Sequence, residues 1–341
     1  MLTLEEIQKN DSESMYARYD EWPKIAEESY NKDVPKVELR DIDHVVFAGM
    51  GGSGTIGDIF SSILSKRQIH VTVVKGYHLP KTVNDKTLVV CTSISGNTDE
   101  TLSILDEYKN SKGKFVAFSS GGMMEEFCKK NTINHYKIEK IHSPRASCLS
   151  FLYSILNALE EIIPINKFEI KESIDLLNQT KNKIDSKNLN VENQALSLAE
   201  WIDKIPIIYY PWGLQSAAIR FKNSMQENAK KHVLFEDVIE ASHNGIVSWE
   251  TSSIVQPILM QGKDDHYKTR ERWKIIKEFF LEKEINYKEI FSVDGSILSK
   301  LVCLIYTLDV TSIYNAVIGK VDPSPVRSID FIKNRLQSRI S

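Results

Sequence analysis

The residues best suited to chemistry stand in one turn, Thr92-Ser93-Ile94-Ser95-Gly96-Asn97-Thr98, followed by Asp99-Glu100-Thr101. The apolar run Thr87 to Cys91 before it reads as a buried strand, and Asp99 to Tyr108 after it reads as a helix. Backbone N–H groups at a helix start lack intrahelical partners and carry partial positive charge. Ser93, Ser95 and Thr98 add hydroxyl donors to them. Such a turn can hold a phosphate without a lysine. The same residues also make an ordinary helix cap, with Asn97 or Thr98 at the N-cap and Glu100 or Thr101 in the first turn.

Three further positions carry ionisable side chains in suggestive settings. Arg145, in Ile141-His-Ser-Pro-Arg145, precedes a strongly apolar helical stretch from Cys148 to Ile162. An arginine at a helix start is electrostatically unfavourable unless it meets an anion or lies in solvent. On a helix from about Ser216 to Lys231, Arg220, Asn223 and Glu227 fall near one face, with Lys230 and Lys231 close enough to make that face a solvated one. His243 sits in a polar turn, Glu240-Ala-Ser-His243-Asn244-Gly245. Most lone histidines are structural or surface residues; a glutamate and a histidine acting separately would suit proton abstraction beside a carbonyl.

The elements that must position these groups are legible in the chain order. Before 41 stand one or two exposed helices, an N-terminal flank over 1–40. His44 to Gly49 reads as a strand running into Gly49-Met-Gly-Gly-Ser-Gly54 and a helix, a second glycine-rich turn of the same kind. That turn has the spacing of a dinucleotide fingerprint, but the next strand, Ile69 to Val74, ends in Lys75 where an acid should hold a ribose, so nicotinamide binding is not expected. Strands follow at Leu88–Cys91, Phe115–Phe118 and His135–Ile138, with helices over 99–110 and 122–130. Alternating strand and helix predicts a parallel sheet flanked by helices, with ligands beyond the carboxyl ends of its strands. A helical linker over 164–190 leads to a second half, with strands at Ile205–Tyr210, His232–Ile239, Ile254–Met260 and Tyr287–Val293, and helices over 266–283 and 296–310. The repeat of strand, glycine turn and helix predicts an internal duplication. The second glycine turn, Pro211-Trp-Gly213, is degenerate, which assigns phosphate to the first half alone.

Bulk properties exclude other classes. A chain of 341 residues, 42% of them hydrophobic, fills two domains rather than one. A net charge of -3 and a pI near 6.3 offer no basic field for nucleic acid. Apolar runs fall short of membrane-spanning length, and Met1-Leu-Thr-Leu-Glu-Glu lacks the layout of a signal peptide. Four scattered cysteines (91, 128, 148, 303) without a Cys-x-x-Cys pair disfavour zinc and disulfides and fit a reducing cytoplasm.

Gly49-Met-Gly-Gly-Ser-Gly, Ser93-Ile-Ser-Gly-Asn-Thr-Asp-Glu-Thr, Ser143-Pro-Arg-Ala, Lys222-Asn to Glu227-Asn and Ser242-His-Asn occur in this order. As a set they resemble the archaeal-type bifunctional phosphoglucose/phosphomannose isomerases, over nearly the whole chain. The resemblance implies an α/β fold of two flavodoxin-like sugar isomerase domains, here 41–163 and 191–341, each a parallel sheet flanked by helices. It implies a homodimer acting on hexose 6-phosphates with no cofactor and no metal, and the bulk properties above add a cytoplasmic setting with no nucleic-acid or membrane partner. It implies that Ser93, Ser95 and Thr98, with Gly52 and Ser53, hold the phosphate. By the same resemblance Glu227 moves a proton between the first and second carbons, and Arg145 stabilises the enediolate. His243, from the other subunit, assists ring opening, and Lys333 reaches the site. Departures from the family pattern fall at Ile94, at Ile141-His-Ser and at Gly245. They touch the pocket's shape, and with it the glucose-to-mannose preference, as does Ser324 in Asp322-Pro-Ser-Pro. Two alternatives are a sugar-phosphate-binding regulator on the same domain and an aminosugar-phosphate isomerase. The first would carry a basic helix-turn-helix and the second an amidotransferase domain, neither of which is seen in the sequence.

Overall fold

The computed structural model describes residues 2–340. Three short helices open the chain, α1 (Leu4–Asn10), α2 (Met15–Asp20) and α3 (Trp22–Asn31). The first half continues through β1 (His44–Ala48), α4 (Gly51–Leu64), β2 (His70–Val74), β3 (Thr87–Ser93), α5 (Asp99–Asp106), β4 (Lys114–Ser119), α6 (Gly122–Asn131), β5 (Asn134–Lys137) and α7 (Cys148–Ala158). Then come α8 (Lys167–Ile184) and α9 (Gln194–Trp201). The second half holds β6 (Ile205–Tyr210), α10 (Gln215–Ser224), β7 (Leu234–Asp237), α11 (Val238–Ala241), β8 (Val255–Gln261), α12 (Tyr267–Glu282), β9 (Lys288–Phe291), α13 (Ile297–Ile318) and α14 (Arg327–Ile340).

The two sheets share a topology. The first has the order β2-β1-β3-β4-β5 and the second β7-β6-β8-β9, every pairing parallel. In both, the founding strand sends the chain first to one side and then to the other. The crevices where ligands are expected therefore lie beyond the ends of β1 and β3, and of β6 and β8. Parallel strands covered on both faces read as unbroken apolar runs, which is why β1 and β3 were visible in the sequence. Alternate residues split between two cores. Val46, Ala48, Val89 and Cys91 pack under α5 and α6, while Val45, Phe47, Leu88 and Val90 join the central core between the sheets. The second sheet repeats the division, with Ile207, Tyr209 and Leu259 under Trp273 and Phe280 of α12, and Ile208 and Ile258 in the central core.

Three expectations change. The N-terminal helices are not an exposed flank: Ile7, Met15, Tyr19, Trp22 and Ala26 are fully buried in the central core. Each large apolar side chain so buried contributes about 1.5–3 kcal/mol. The second is that α13 runs 22 residues with a mean hydropathy of 1.7, long and apolar enough to cross a membrane, contrary to the reading that no segment reaches that length. Of that window, 94% is buried inside this protein, where α13 packs against α8, α9 and α10 as a core helix. Third, the strand expected over 232–239 is only β7, and Val238 turns directly into α11 with Asp237 as its cap.

Candidate active site

The hydroxyl-rich turn after β3 is built by one glycine. Gly96 has φ +73°, and a Cβ there would meet the Gly121 carbonyl oxygen at 1.7 Å, so no other residue fits. Ser93 Oγ accepts from the Gly96 N–H at 3.0 Å and pairs with Thr98 Oγ1 at 2.8 Å. Ser95 Oγ accepts from the Asn97 N–H at 3.3 Å, and Asn97 Oδ1 accepts from the Met123 N–H at 2.9 Å, tying the turn to α6. Thr98 does hold the N-cap position of α5, but it makes no side-chain capping bond; its hydroxyl faces Ser93 instead. Thr101 Oγ1, in the first turn of α5, is buried without a partner among the described residues.

The glycine turn after β1 lies against this one. Ser53 Oγ accepts from the Ile94 N–H at 3.0 Å. Gly52 sits so close to the next loop that a Cβ would be 3.2 Å from the Pro144 carbonyl oxygen. Lys75, where a dinucleotide site would have its acid, is paired with Asp58 of α4, 2.7 Å from Oδ1.

Pro144 brings Arg145, whose guanidinium is almost fully buried and bound on every side. Nε donates to Asn228 Oδ1 at 2.6 Å, and Nη2 donates to the carbonyls of Pro323 (2.7 Å) and Ser324 (2.8 Å). Nη1 meets Glu227 Oε2 at 3.2 Å. A cation fixed by so many acceptors presents its charge in one direction without reorganising. Behind it, Arg220 Nη2 donates to the Arg145 carbonyl at 2.7 Å and to Asp309 Oδ2 at 2.6 Å. Asp309 also accepts from Ser224 Oγ and Tyr19 OH, at 2.5 and 3.1 Å. The Trp22 indole N–H donates to the Ala146 carbonyl at 2.8 Å, so the N-terminal helices brace the same turn.

Glu227 owes its position to a local widening of the helix. After α10 the chain makes one π-type turn, Met225–Ala229, a feature often found at functional sites. Of Arg220, Asn223 and Glu227, the last two face one cleft, while Arg220 points away from it. Arg220 is buried on Asp309, Asn223 Nδ2 reaches Thr55 Oγ1 at 3.4 Å, and Glu227 turns to Arg145. Lys230 Nζ donates to the Glu227 carbonyl at 2.6 Å and to that of Pro323 at 3.3 Å; desolvation and the Arg145 charge lower its pKa. Gly51, Asn223, Glu227, Lys230 and Asp322 line a cleft of ≈ 760 Å³ that the first turn of α14 helps to close. Two carboxylates, Glu227 and Asp322, among the cations Lys230, Lys231 and Arg327 suit an anionic ligand with a proton to move. Among the described residues no three His, Cys, Asp or Glu side chains group as metal ligands would.

A family description, SIS domain, matches residues 38–160, and another, bacterial phospho-glucose isomerase C-terminal SIS domain, matches 191–336. The chain is 33% identical to a bifunctional phosphoglucose/phosphomannose isomerase of Caldicellulosiruptor bescii, over 95% of this chain and 98% of that one. The chain belongs to the bifunctional phosphoglucose/phosphomannose isomerase family. The relative of the same name in Aquifex aeolicus is 29% identical over 92% of this chain and 98% of its own. Among solved structures, a hypothetical protein from Thermus thermophilus superposes with a TM-score of 0.74 at 12% identity, covering 96% of this chain and 91% of that one. Both matches fit the expected fold of paired parallel sheets.

Set against this family's expected site, the fold brings most of the named residues together within one chain. Gly52, Ser53, Ser93, Ser95 and Thr98 form two adjoining turns, and Arg145 links the Gly52 turn to Glu227. Ser324 is buried beside them; its carbonyl holds Arg145 while its hydroxyl is 3.4 Å from Asp11 Oδ1. Of the named residues Glu227 alone lines the cleft, beside Gly51 of the glycine turn; the hydroxyl turns and Arg145 do not, His243 is exposed after α11, and Lys333 is exposed on the second turn of α14. Asp309 escaped the sequence reading, which also gave Asn228 no role and read Lys230 only as part of a solvated face. Asn228 follows Glu227 directly, and a single Asp inside the apolar run of α13 was the one visible sign that a buried cation must face it.

Proposed function

We propose that the chain is an aldose–ketose isomerase that interconverts glucose 6-phosphate and mannose 6-phosphate with fructose 6-phosphate through an enediolate. The observation that carries this is the Glu227–Arg145 pair, 3.2 Å apart, at a cleft reached by the glycine turn of the first sheet. Ser93, Ser95 and Thr98, with Gly52 and Ser53, hold the phosphate dianion. Glu227 takes the proton from the second carbon of the aldose and returns it to the first. The electron pair left behind becomes an enediolate, and the locked Arg145 charge stabilises the oxygen that carries it. Lys230 adds a second cation to that field, and Lys333 comes to the site from α14.

His243 serves ring opening in the cleft of a second copy, which makes the working enzyme a homodimer. Support comes from its surroundings: exposed Val247 and Ile275 line an apolar groove that includes Ser242, a surface of the kind a partner covers. Exposed Phe331 and Ile332 on α14 offer a second such face. The chain divides into a first domain over 41–163 and a second over 191–341, joined by 164–190, with 1–40 as a helical addition. A cytoplasmic enzyme without cofactor is the corresponding setting.

A coupled assay with each aldose 6-phosphate, with and without chelator, tests the reading, and activity on both sugars in both conditions is expected. Mixing Glu227→Gln and His243→Ala subunits, each inactive alone, should restore up to about a quarter of wild-type activity, because a heterodimer retains one intact composite site. No recovery on mixing would confine the site to one chain. A relative in Sulfolobus acidocaldarius, 25% identical over 67% of this chain, bears the name D-glucosamine-6-phosphate 4-epimerase. Turnover of glucosamine 6-phosphate in place of the neutral sugars would favour an aminosugar reading.

A further inference from the structure

The duplication produces a second crevice, and it is not an empty copy. Beyond β6 and β8 lies a cavity of ≈ 740 Å³, lined by Pro211 to Leu214 after β6, by Gly262 and Asp264 to His266 after β8, and by Gly295 before α13. This is the topological switch point of the second sheet, the position the anion turns occupy in the first. The remaining wall follows the same exchange. In the first crevice the start of α4 meets the end of α10, where Glu227 stands. In the second, the start of α10 meets the end of α4, where Lys66 and Arg67 stand. The loop after α13 closes the first crevice, and Glu169 at the start of α8, the helix after α7, closes the second.

The chemistry of the second crevice differs from that of its mate. The turn Gly262-Lys-Asp-Asp265 has none of the hydroxyls of the turn after β3. Counting from the two helix starts, the place of Glu227 is taken by buried Ile63. The carboxylates of this crevice are Glu169, Asp264 and Asp265, and cations outnumber them. Arg67 is paired with Glu169 at 2.6 Å, and Lys300 is paired with Asp264. Lys66, Lys268 and Arg272 line the cavity without an ion-pair partner among the described residues. Lys66 Nζ stands 5.9 Å from the ring centre of Trp212, whose side chain is largely exposed on the cavity wall.

We propose that this crevice binds, without transforming it, a small molecule that carries a phosphate ester on a ring able to stack on Trp212. Lys66, Lys268 and Arg272 hold the dianion, which here relies on side-chain charge rather than on a hydroxyl turn. The proposal departs from the sequence expectation that only the first half takes phosphate. The proposal requires no proton transfer and no residue of the first crevice, but Lys268 and Arg272 also line the groove beside Ser242 that the dimer would cover, so its test relies on Lys66, which does not.

The test is calorimetry and tryptophan fluorescence with inorganic phosphate, glucose 6-phosphate and AMP as probes. For at least one of the two esters, wild type should bind two equivalents per chain, one of them changing Trp212 emission. The charge reversal Lys66→Glu, outside the groove beside Ser242, should weaken that equivalent at least tenfold and leave the other in place. Ser95→Ala should do the reverse. Trp212→Phe should abolish the emission change while calorimetry still counts the site. All these positions except Trp212 are surface-charge or hydroxyl changes that circular dichroism can check for folding. One equivalent per chain with every probe, or a second equivalent indifferent to the charge reversal, overturns the proposal. Loss of isomerisation with the second equivalent intact would sink the isomerase reading alone.

Discussion

The two crevices share a topology and a pair of helices, yet they differ in what stands on those helices. Each of α4 and α10 has its start in one crevice and its end in the other. The first crevice concentrates groups whose protons and dipoles are fixed: a hydroxyl turn, a buried arginine with its acceptors, and a carboxylate on a widened turn. The second presents a group of lysines and arginines and an indole, with a buried isoleucine in the place of Glu227. The lesson is that duplication conserves where a ligand can sit, because strand order decides that, while the side chains decide whether anything happens to it.

The comparison can be attacked where it is most lopsided. Glu227→Gln removes the base from the first crevice and should lower kcat by at least about a hundredfold, with binding in the second unchanged. Normal turnover in that variant, measured by the coupled assay, would erase the functional distinction between the crevices. Asp309→Asn leaves Arg220 as an unpaired buried cation beneath the Arg145 turn. It should cost about 3–5 kcal/mol in denaturant unfolding, and activity should be lost before the fold is. A change under about 1 kcal/mol would mean that the first crevice does not depend on this buried pair. Ser95→Ala should raise KM for both sugar phosphates roughly tenfold with kcat nearly unchanged, the scale of one charge-assisted hydrogen bond. A kcat loss alone would move that hydroxyl from phosphate binding to catalysis.

The smallest effect concerns acid. His44, His135 and His142 all stand in the first half, and desolvation lowers the pKa of each below the ordinary 6.5. On acidification through that value the unfolded chain takes up protons that the folded chain still refuses. Stability is therefore level above it and falls as pH drops toward the lowered values. Thermal unfolding should shift down by a few degrees between pH 7.5 and 5.5, and His142→Asn should reduce the shift. An unchanged midpoint in wild type would count against a more acid-sensitive first half.

The sequence announced the strands and both glycine turns, because a buried parallel strand is an apolar run and a phosphate-sized turn needs its glycines and hydroxyls in order. The burial of the N-terminal helices was also written there, in the spacing of Met15, Tyr19, Trp22 and Ala26, but polar residues between them obscured a stripe spread over two short helices. The Arg145–Glu227 pair was beyond reach of spacing, since 82 residues separate the partners and only packing against the Pro323–Ser324 carbonyls brings them together. The second crevice was missed because its cations come from four separate places, the end of α4, the start and middle of α12 and the start of α13. No local motif records such a gathering.

The π-type turn at Met225–Ala229 has a consequence for anyone seeking a hardier version of this protein. Such a turn is what results when a helix accommodates one residue too many. Deleting a residue there would let the hydrogen bonds close in the regular pattern, and a redesign scored on ruggedness alone would favour that change. The neighbouring side chains would then rotate by roughly 100° around the axis, and the two that now grip one arginine from different sides would part. The irregularity is thus the last place to tidy, and its loss should be felt as silence in the assay before any change in melting.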